Sequence, residues 1–260
     1  MSRRNLFSST ALTPIMMLVG TGAAFAQAVA YPNATIGGFG GTWQNQGFGS
    51  AEGRWTVPLG PSFGGQVDVL GGVAGGQTFS QLAGHAFWRD PSTGLFGLYS
   101  AWTQQFGAST FRIGPEAEFY AGPVTFSGVA GWRTGTGISD FFAQAKGNLY
   151  LTPNTKIFGG YIYEGASFAN AGFEHLFEPS GLSLFGEVRT GAGTTAAWAG
   201  LRFYFGNGGV VKSLMDRERQ DVAPLWLHLT AQQQTSATST STSTSTSTST
   251  TTSTSSTILG

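Results

Sequence analysis

The sequence has no cysteine and little charge. Only 10% of its 260 residues are Asp, Glu, Lys or Arg, against about 25% in typical soluble domains. Without cysteine there is no disulfide scaffold, thiolate metal site or cysteine nucleophile. Lys+Arg and Asp+Glu are both 13, so the chain lacks the basic surplus with which nucleic-acid binders neutralise phosphates. Histidine is scarce: His85, His175 and His228 stand apart, without metal-ligand spacing. No P-loop, H-E-x-x-H, G-x-S-x-G or EF-hand pattern is present. These absences point to no enzyme and no cofactor. Long apolar runs are missing too. The stretch 11–20 is interrupted by Pro14 and falls short of the roughly 20 residues a spanning helix needs. Contact with a membrane would have to be made by strands.

What is abundant is glycine, with 40 residues, and aromatics, with 21 Phe, 7 Trp and 7 Tyr. The N-terminus has the three parts of a secretory signal: Arg3 and Arg4, the apolar stretch 11–20, and Ala24-Phe25-Ala26 before Gln27. We read residues 1–26 as a signal peptide, with export to the periplasm. Ala28-Val29-Ala30 offers a second cleavage site.

From about Ala34 to Phe205 the chain reads as short alternating runs broken by Gly, Pro, Asn and Ser. The pattern predicts twelve strands, near 34–43, 50–57, 63–71, 77–88, 95–103, 109–120, 124–133, 140–151, 155–163, 167–177, 182–190 and 195–205. Each is close to the 9–11 residues that a tilted strand needs to cross a bilayer. The short connections leave no room for crossover helices, which excludes a parallel α/β sheet. Connections after even strands all contain proline: Pro58 and Pro61, Pro91, Pro123, Pro153 and Pro179. Those after odd strands, at 44–49, 73–76, 104–108, 134–139, 164–166 and 191–194, are richer in Gly, Gln and Thr. Two alternating classes of turn suit two different sides of a membrane.

The faces agree. Phe111, Ile113, Ala117 and Phe119 oppose Arg112, Glu116, Glu118 and Tyr120. Trp55 and Val57 oppose Glu52, Arg54 and Thr56. Leu201, Phe203 and Phe205 oppose Arg202 and Tyr204. A soluble sandwich would carry many Lys and Glu on its polar face. In an outer-membrane barrel the apolar face meets lipid and the polar face is internal. Trp55, Trp88, Phe119, Phe177, Trp132 and Tyr163, near strand ends, fit interfacial girdles. Strands four, nine and ten alternate poorly. The fold class read from the sequence is all-β, an antiparallel up-and-down transmembrane barrel of about twelve strands over residues 27–206.

The closing strand, Trp198-Ala199-Gly200-Leu201-Arg202-Phe203-Tyr204-Phe205, resembles the assembly signal of bacterial outer-membrane barrels. With the signal peptide, the span 34–205 resembles small porin-family barrels of Gram-negative bacteria. The run Lys212–Arg219 is similar to charged tails of some alphaproteobacterial barrels. The resemblance implies an outer-membrane location, a lipid bilayer and the barrel-assembly machinery as partners, and transport of small polar solutes. It leaves the oligomeric state open.

Charge on the lipid face costs about 2–4 kcal/mol for Arg or Lys at mid-bilayer. That cost assigns Arg54, Arg112, Arg133, Lys146, Arg189 and Arg202 to the interior. Glu52, Asp68, Glu116, Glu118, Glu174 and Glu187 go with them as pore-lining candidates. Glu174, Glu187 and Arg202 are expected to form one cluster. His85 and His175 read as satisfied interior histidines. Either these charges line a narrow pore, or they pair across the interior and fill it. Twelve strands fall between filled barrels of eight and open porins of 16–18. Short loops remove the usual plug, and we take the narrow pore as the first reading. The non-conducting, ion-paired barrel is the alternative. Residues 207–234 are expected to be a periplasmic extension and 235–260 a disordered Ser/Thr tail.

Because a Ser/Thr repeat buries nothing apolar, deleting residues 235–260 is expected to leave barrel assembly unchanged. The heat-modifiable folded band on gels measures this, and its loss would show that the tail takes part in assembly.

Overall fold

The computed structural model describes residues 27–206 and 208–228. The segment read as a signal peptide and the Ser/Thr repeat lie outside the described residues. Twelve strands are seen among those described. In chain order they are β1 Asn33–Trp43, β2 Gln46–Pro58, β3 Phe63–Ala74, β4 Gln77–Asp90, β5 Gly94–Gln105 and β6 Ala108–Ala121. Then follow β7 Val124–Gly135, β8 Ile138–Thr152, β9 Thr155–Glu164, β10 Ser167–Phe177, β11 Leu182–Gly191 and β12 Thr194–Phe205. Each pairs antiparallel with its neighbour, and β1 pairs with β12 from Ala34↔Phe205 to Trp43↔Ala196. The sheet is therefore a closed barrel without an edge, so nearly all of the strand backbone is paired, which lipid requires; the ladder is interrupted between β6 and β7 at Gly114 and Pro115 and between β8 and β9 at Leu151.

The strands run further toward the odd connections than the sequence pattern indicates. β2 begins at Gln46 rather than near 50, and β3 ends at Ala74 rather than near 71. The connections expected to span three to six residues are two-residue hairpins. Gln44 and Asn45, Gly75 and Gly76, Phe106 and Gly107, and Ala192 and Gly193 all have positive φ. Such a pair is the geometry whose twist matches that of the flanking strands, so the ladder persists to the turn. Phe106 adopts φ 51° although it is not glycine. Its ring packs on Trp43 with centroids 5.6 Å apart, a contact that offsets the local strain. The proline-bearing turns form the opposite end, where β1 begins and β12 ends; we call it the even end.

The outer surface is an apolar belt. Trp55, Trp88, Phe119 and Phe177 are exposed near the even end, and Trp132 and Tyr163 near the odd end. Leu82, Leu98, Ile113, Phe126, Val188 and Leu201 are exposed between them. So much exposed apolar surface on a closed antiparallel barrel is the mark of a lipid-facing wall. The interior is not simply polar. Phe39, Phe48, Leu70, Phe79, Phe185 and Trp198 form an apolar cluster in the odd half. Tyr99, Val129 and Phe142 form a second.

After β12 the chain forms α1, Leu214–Gln220, capped by Ser213, whose hydroxyl accepts from the Asp216 N–H. The helix lies across the even turns: the Met215 N–H donates to the Pro153 carbonyl, and the Leu214 N–H to Asn154 Oδ1. The chain then turns into the barrel.

With the even end on the periplasmic side, a cysteine at Thr136 should react with an impermeant thiol reagent on intact cells. Cysteines at Ser92 or Ser180 should react only after the outer membrane is disrupted. The parent has no cysteine, so the background is zero. Labelling of all three on intact cells would reject this topology.

Candidate functional site in the barrel interior

The barrel interior is an array of paired charges, and Arg202 is its best-connected cation. Its Nη1 donates to both carboxylate oxygens of Glu174 at 2.9 Å, and its Nε donates to Glu52 at 2.5 Å. The guanidinium also lies 4.3 Å from the centre of the Phe185 ring. Glu174 further accepts from the hydroxyls of Ser183 and Tyr204 and faces Lys156 at 3.3 Å. Reaching Glu52 means crossing β1, where Gly37 pairs with both Arg202 and Glu52. A Cβ on Gly37 would stand 3.0 Å from the Glu52 carboxylate and from the Leu201 carbonyl. The missing side chain is what lets the two charges meet.

Glu187 does not join this cluster, contrary to the expectation from sequence. It faces Arg189 at 3.5 Å and accepts from Asn170. The register explains the separation. Arg202 pairs across β11 with Ser183, while Glu187 pairs with Trp198, four residues nearer the odd end. Height estimated from distance to a turn ignores the stagger that barrel closure imposes. Glu52 takes its place.

The other candidates also point inward. His85 lies between two carboxylates, with Nδ1 2.9 Å from Glu116 and Nε2 3.1 Å from Asp68. Arg112 donates to Glu164 at 2.7 Å and to Thr103 at 2.8 Å. Arg133 pairs with Asp140 and Glu164. Glu118 faces Arg89 at 3.8 Å, Arg54 lies 4.0 Å from Glu52, and Lys146 sits over the Phe158 ring. His175 is not interior. It is on the lipid side of β10, bonded to the Thr155 hydroxyl and edge-on to Phe177. Its neighbours Glu174 and Leu176 have the buried parity.

Residues 222–228, expected in the periplasm, run through the interior as a segment without regular secondary structure. Near the even end Arg89 donates to the Val222 carbonyl. Gln66 then accepts from the Ala223 N–H and donates to the Ala223 carbonyl. Gln81 donates to the Trp226 carbonyl at 2.8 Å and accepts from the His228 N–H at 3.2 Å. Gln105, the last residue of β5, donates to the His228 carbonyl. Two of these amides each bond a donor and an acceptor of the segment, as a neighbouring strand would. An unpaired backbone group here would cost about 1–3 kcal/mol.

Successive side chains of the segment face different sectors. Leu225 and Leu227 pack on the Phe39–Trp198 cluster. Trp226, 1% exposed, packs with Tyr99 and Phe142 and donates from Nε1 to Glu116. His228 bonds Tyr99, Gln144 and Glu164. At the even mouth Ala223 packs with Val29, Phe87 and Leu95. Asn33 and Arg89 tie the mouth through the Asp221 and Ala28 carbonyls. Burial raises the Asp221 carboxyl above its ordinary value, and the hydrogen bond from Lys212 pulls the other way. Beside the segment remains a cavity of about 80 Å³, bordered by Arg54, Lys146, Lys156, Glu174 and Glu187.

Sequence reasoning missed Glu164, Lys156, Arg89 and this segment. Glu164 was assigned to a loop because Gly165 follows it, yet it ends β9 facing inward. The signals available were three glutamines, 66, 81 and 144, at inward parity, and the lone apolar run Leu225-Trp226-Leu227. Tyr99, His228 and Glu164 are connected like a nucleophile, base and orienting acid, but each is fully enclosed. Their bonds hold the His228 end of the segment.

Replacing Arg202 by Ala should leave Glu52 and Glu174 facing each other without their shared cation. A loss of about 3–5 kcal/mol in unfolding free energy is expected, the range for removing one partner of a buried pair. Adding Glu174→Gln should recover part of it. Urea titration of the folded band measures both, and an R202A protein as stable as its parent would refute the shared pairing.

No family model and no curated protein matches the chain with significance. Solved structures do. It is similar to the KdgM porin in complex with disordered oligogalacturonate, at 8% identity and TM-score 0.55, over 66% of this chain and 99% of that one. It is also similar to the COG4313 outer membrane channel from Pseudomonas putida F1, at 9% identity and TM-score 0.51, over 72% of this chain and 100% of that one. At such identities the likeness is one of fold. With the apolar belt and the edge-free antiparallel sheet, it gives this chain the fold of an outer-membrane β-barrel.

Proposed function

We propose that this barrel is a porin-like passive channel for small polar solutes, held shut by its own C-terminal segment. The single observation behind this reading is the run of bonds from Arg89 through Gln66 and Gln81 to Gln105, which seats residues 222–228 along the interior. Removing that segment would leave an interior walled by both signs of charge, suited to small polar or zwitterionic solutes rather than to apolar ones. The backbone of the segment from Ala223 to His228 is held in large part by the uncharged amides of Gln66, Gln81 and Gln105, bonds that water can replace one by one, while Trp226 and Leu227 add apolar packing. That supports a segment able to leave. The reading is non-catalytic. Thr155 and His175 pair at the lipid face, but among the described residues no carboxylate is bonded to His175 to orient it as a base.

The second reading, a non-conducting barrel, is favoured by the ion pairs that bridge the wall, above all Glu52–Arg202–Glu174.

Single-channel recording in planar bilayers separates the two. The full-length barrel should be silent or open rarely. A chain ending at Gly209 should conduct steadily, with small conductance and weak ion preference. Equal conductance in both would refute closure by the segment. Silence in both, with the folded band intact, would refute the channel and leave the structural reading.

A further inference from the structure

The cavity of about 80 Å³ beside the segment is uneven in how its charges are met. Each carboxylate that borders it is already taken. Glu174 is held by Arg202 and Lys156, Glu187 faces Arg189, and Glu118 faces Arg89. Glu218, which reaches the cavity from α1, is bonded by Lys156 and Tyr150. Two cations are left over. Arg54 borders the cavity from β2 and is 7% exposed. Its Nε and Nη2 have no hydrogen-bond partner among the described residues. Glu52 stands 4.0 Å from Nη2, too far for a hydrogen bond, and is turned to Arg202. Lys146 borders the same cavity from β8 and rests on the Phe158 ring, with no ion pair among the described residues. β2 and β8 lie opposite each other in the ring of strands, so the two cations enter from facing walls.

We propose that this cavity is a binding site for a short hydroxycarboxylate, held between Arg54 and Lys146. Nε and Nη2 carry the two parallel N–H groups on one edge of the guanidinium, the fork that matches the two oxygens of a carboxylate. Lys146 adds a point charge from the far side. Leaving buried guanidinium donors without partners costs stability, and a ligand carboxylate removes that cost. Asn148, also on the cavity wall, has its buried Oδ1 without a partner. A hydroxyl both donates and accepts, so it satisfies that amide whichever way the amide is turned.

Size and surroundings narrow the class. The volume has room for about six non-hydrogen atoms, each about the size of a water. Glycolate and lactate fit, and a six-carbon sugar acid does not. Pro224 and Leu225 of the segment make another side of the cavity. Proline has no N–H to offer there, so that side suits the carbon skeleton of the ligand. The assignment rests on the channel reading for its purpose, because it names a solute class that the interior would receive. Its binding step is separate from current.

The test refolds the full-length barrel from urea with radiolabelled glycolate present, so that access through a closed mouth is not limiting. Equilibrium dialysis then measures the bound label. Saturable uptake of one glycolate per folded barrel is expected. Acetate, which lacks the hydroxyl, should compete about tenfold more weakly, and the neutral glycolamide should not compete. Arg54→Gln and Lys146→Gln should each weaken binding by about tenfold or more. Arg54→Gln should leave the urea midpoint of the folded band unchanged, because the protein itself does not use the fork. No saturable uptake by the parent would overturn the proposal. So would displacement of glycolate by equimolar chloride, the mark of a diffuse positive patch. A loss of stability in Arg54→Gln as large as that in Arg202→Ala would make Arg54 a structural partner of Glu52 and overturn the proposal by a second route. A barrel that binds glycolate but conducts in no form leaves the site standing and refutes only the channel. One that conducts when shortened to Gly209, while the full-length chain binds no glycolate, refutes only the site.

Discussion

A polar group without a partner is costly on both sides of this wall, and that cost organises the molecule. Outside, lipid offers no hydrogen bonds, so every strand must pair and the sheet must close. The same cost drives the charged side chains inward. Inside, space is confined and water is limited, so charges gathered there must find one another. Arg202 between Glu52 and Glu174, and His85 between Asp68 and Glu116, are the outcome. Local backbone follows suit: Gly37 gives up a side chain so that a charge on β12 can reach one on β2.

The C-terminal segment answers the same demand from the other direction. A lone segment carries one donor and one acceptor per residue and would be a poor occupant of a low-dielectric interior. Gln66, Gln81 and Gln105 stand in for the missing neighbour strand, and Pro224 removes one donor that would otherwise need a partner. The apolar side chains of the segment then complete clusters that the wall leaves open. Phe39, Phe48 and Trp198 gain Leu227, and Tyr99 and Phe142 gain Trp226. Plug and wall are therefore one core, which is why the interior holds aromatics that a water-filled pore would not.

Strand number, antiparallel order, the lipid face and the two classes of turn were legible in the sequence because each rests on a short-range pattern. Alternation has a period of two, proline ends a strand where it stands, and charge avoids lipid at every position independently. Strands four, nine and ten were hard to read for a reason the structure makes plain. Their inward faces carry Phe79, Phe87, Phe158, Ile162, Phe168 and Leu176, so hydrophobicity ceases to distinguish inside from outside once part of the interior is a dry core.

What the sequence could not decide is who meets whom across the barrel. Arg202 and Glu52 are 150 residues apart, and Trp226 and Glu116 are 110 apart. Their meeting depends on closure and on the stagger between strands, which no local pattern encodes. That stagger put Glu187 with Arg189 instead of Arg202. The same holds for residues 222–228. Their composition fits a periplasmic linker as well as an interior segment, and only the closed barrel supplies the glutamines and aromatic clusters that decide between the two. The residues by themselves determined a twelve-stranded membrane barrel with a charged interior; the tertiary structure alone decided that the interior is occupied, because occupancy is a property of the enclosed volume and not of any segment that encloses it.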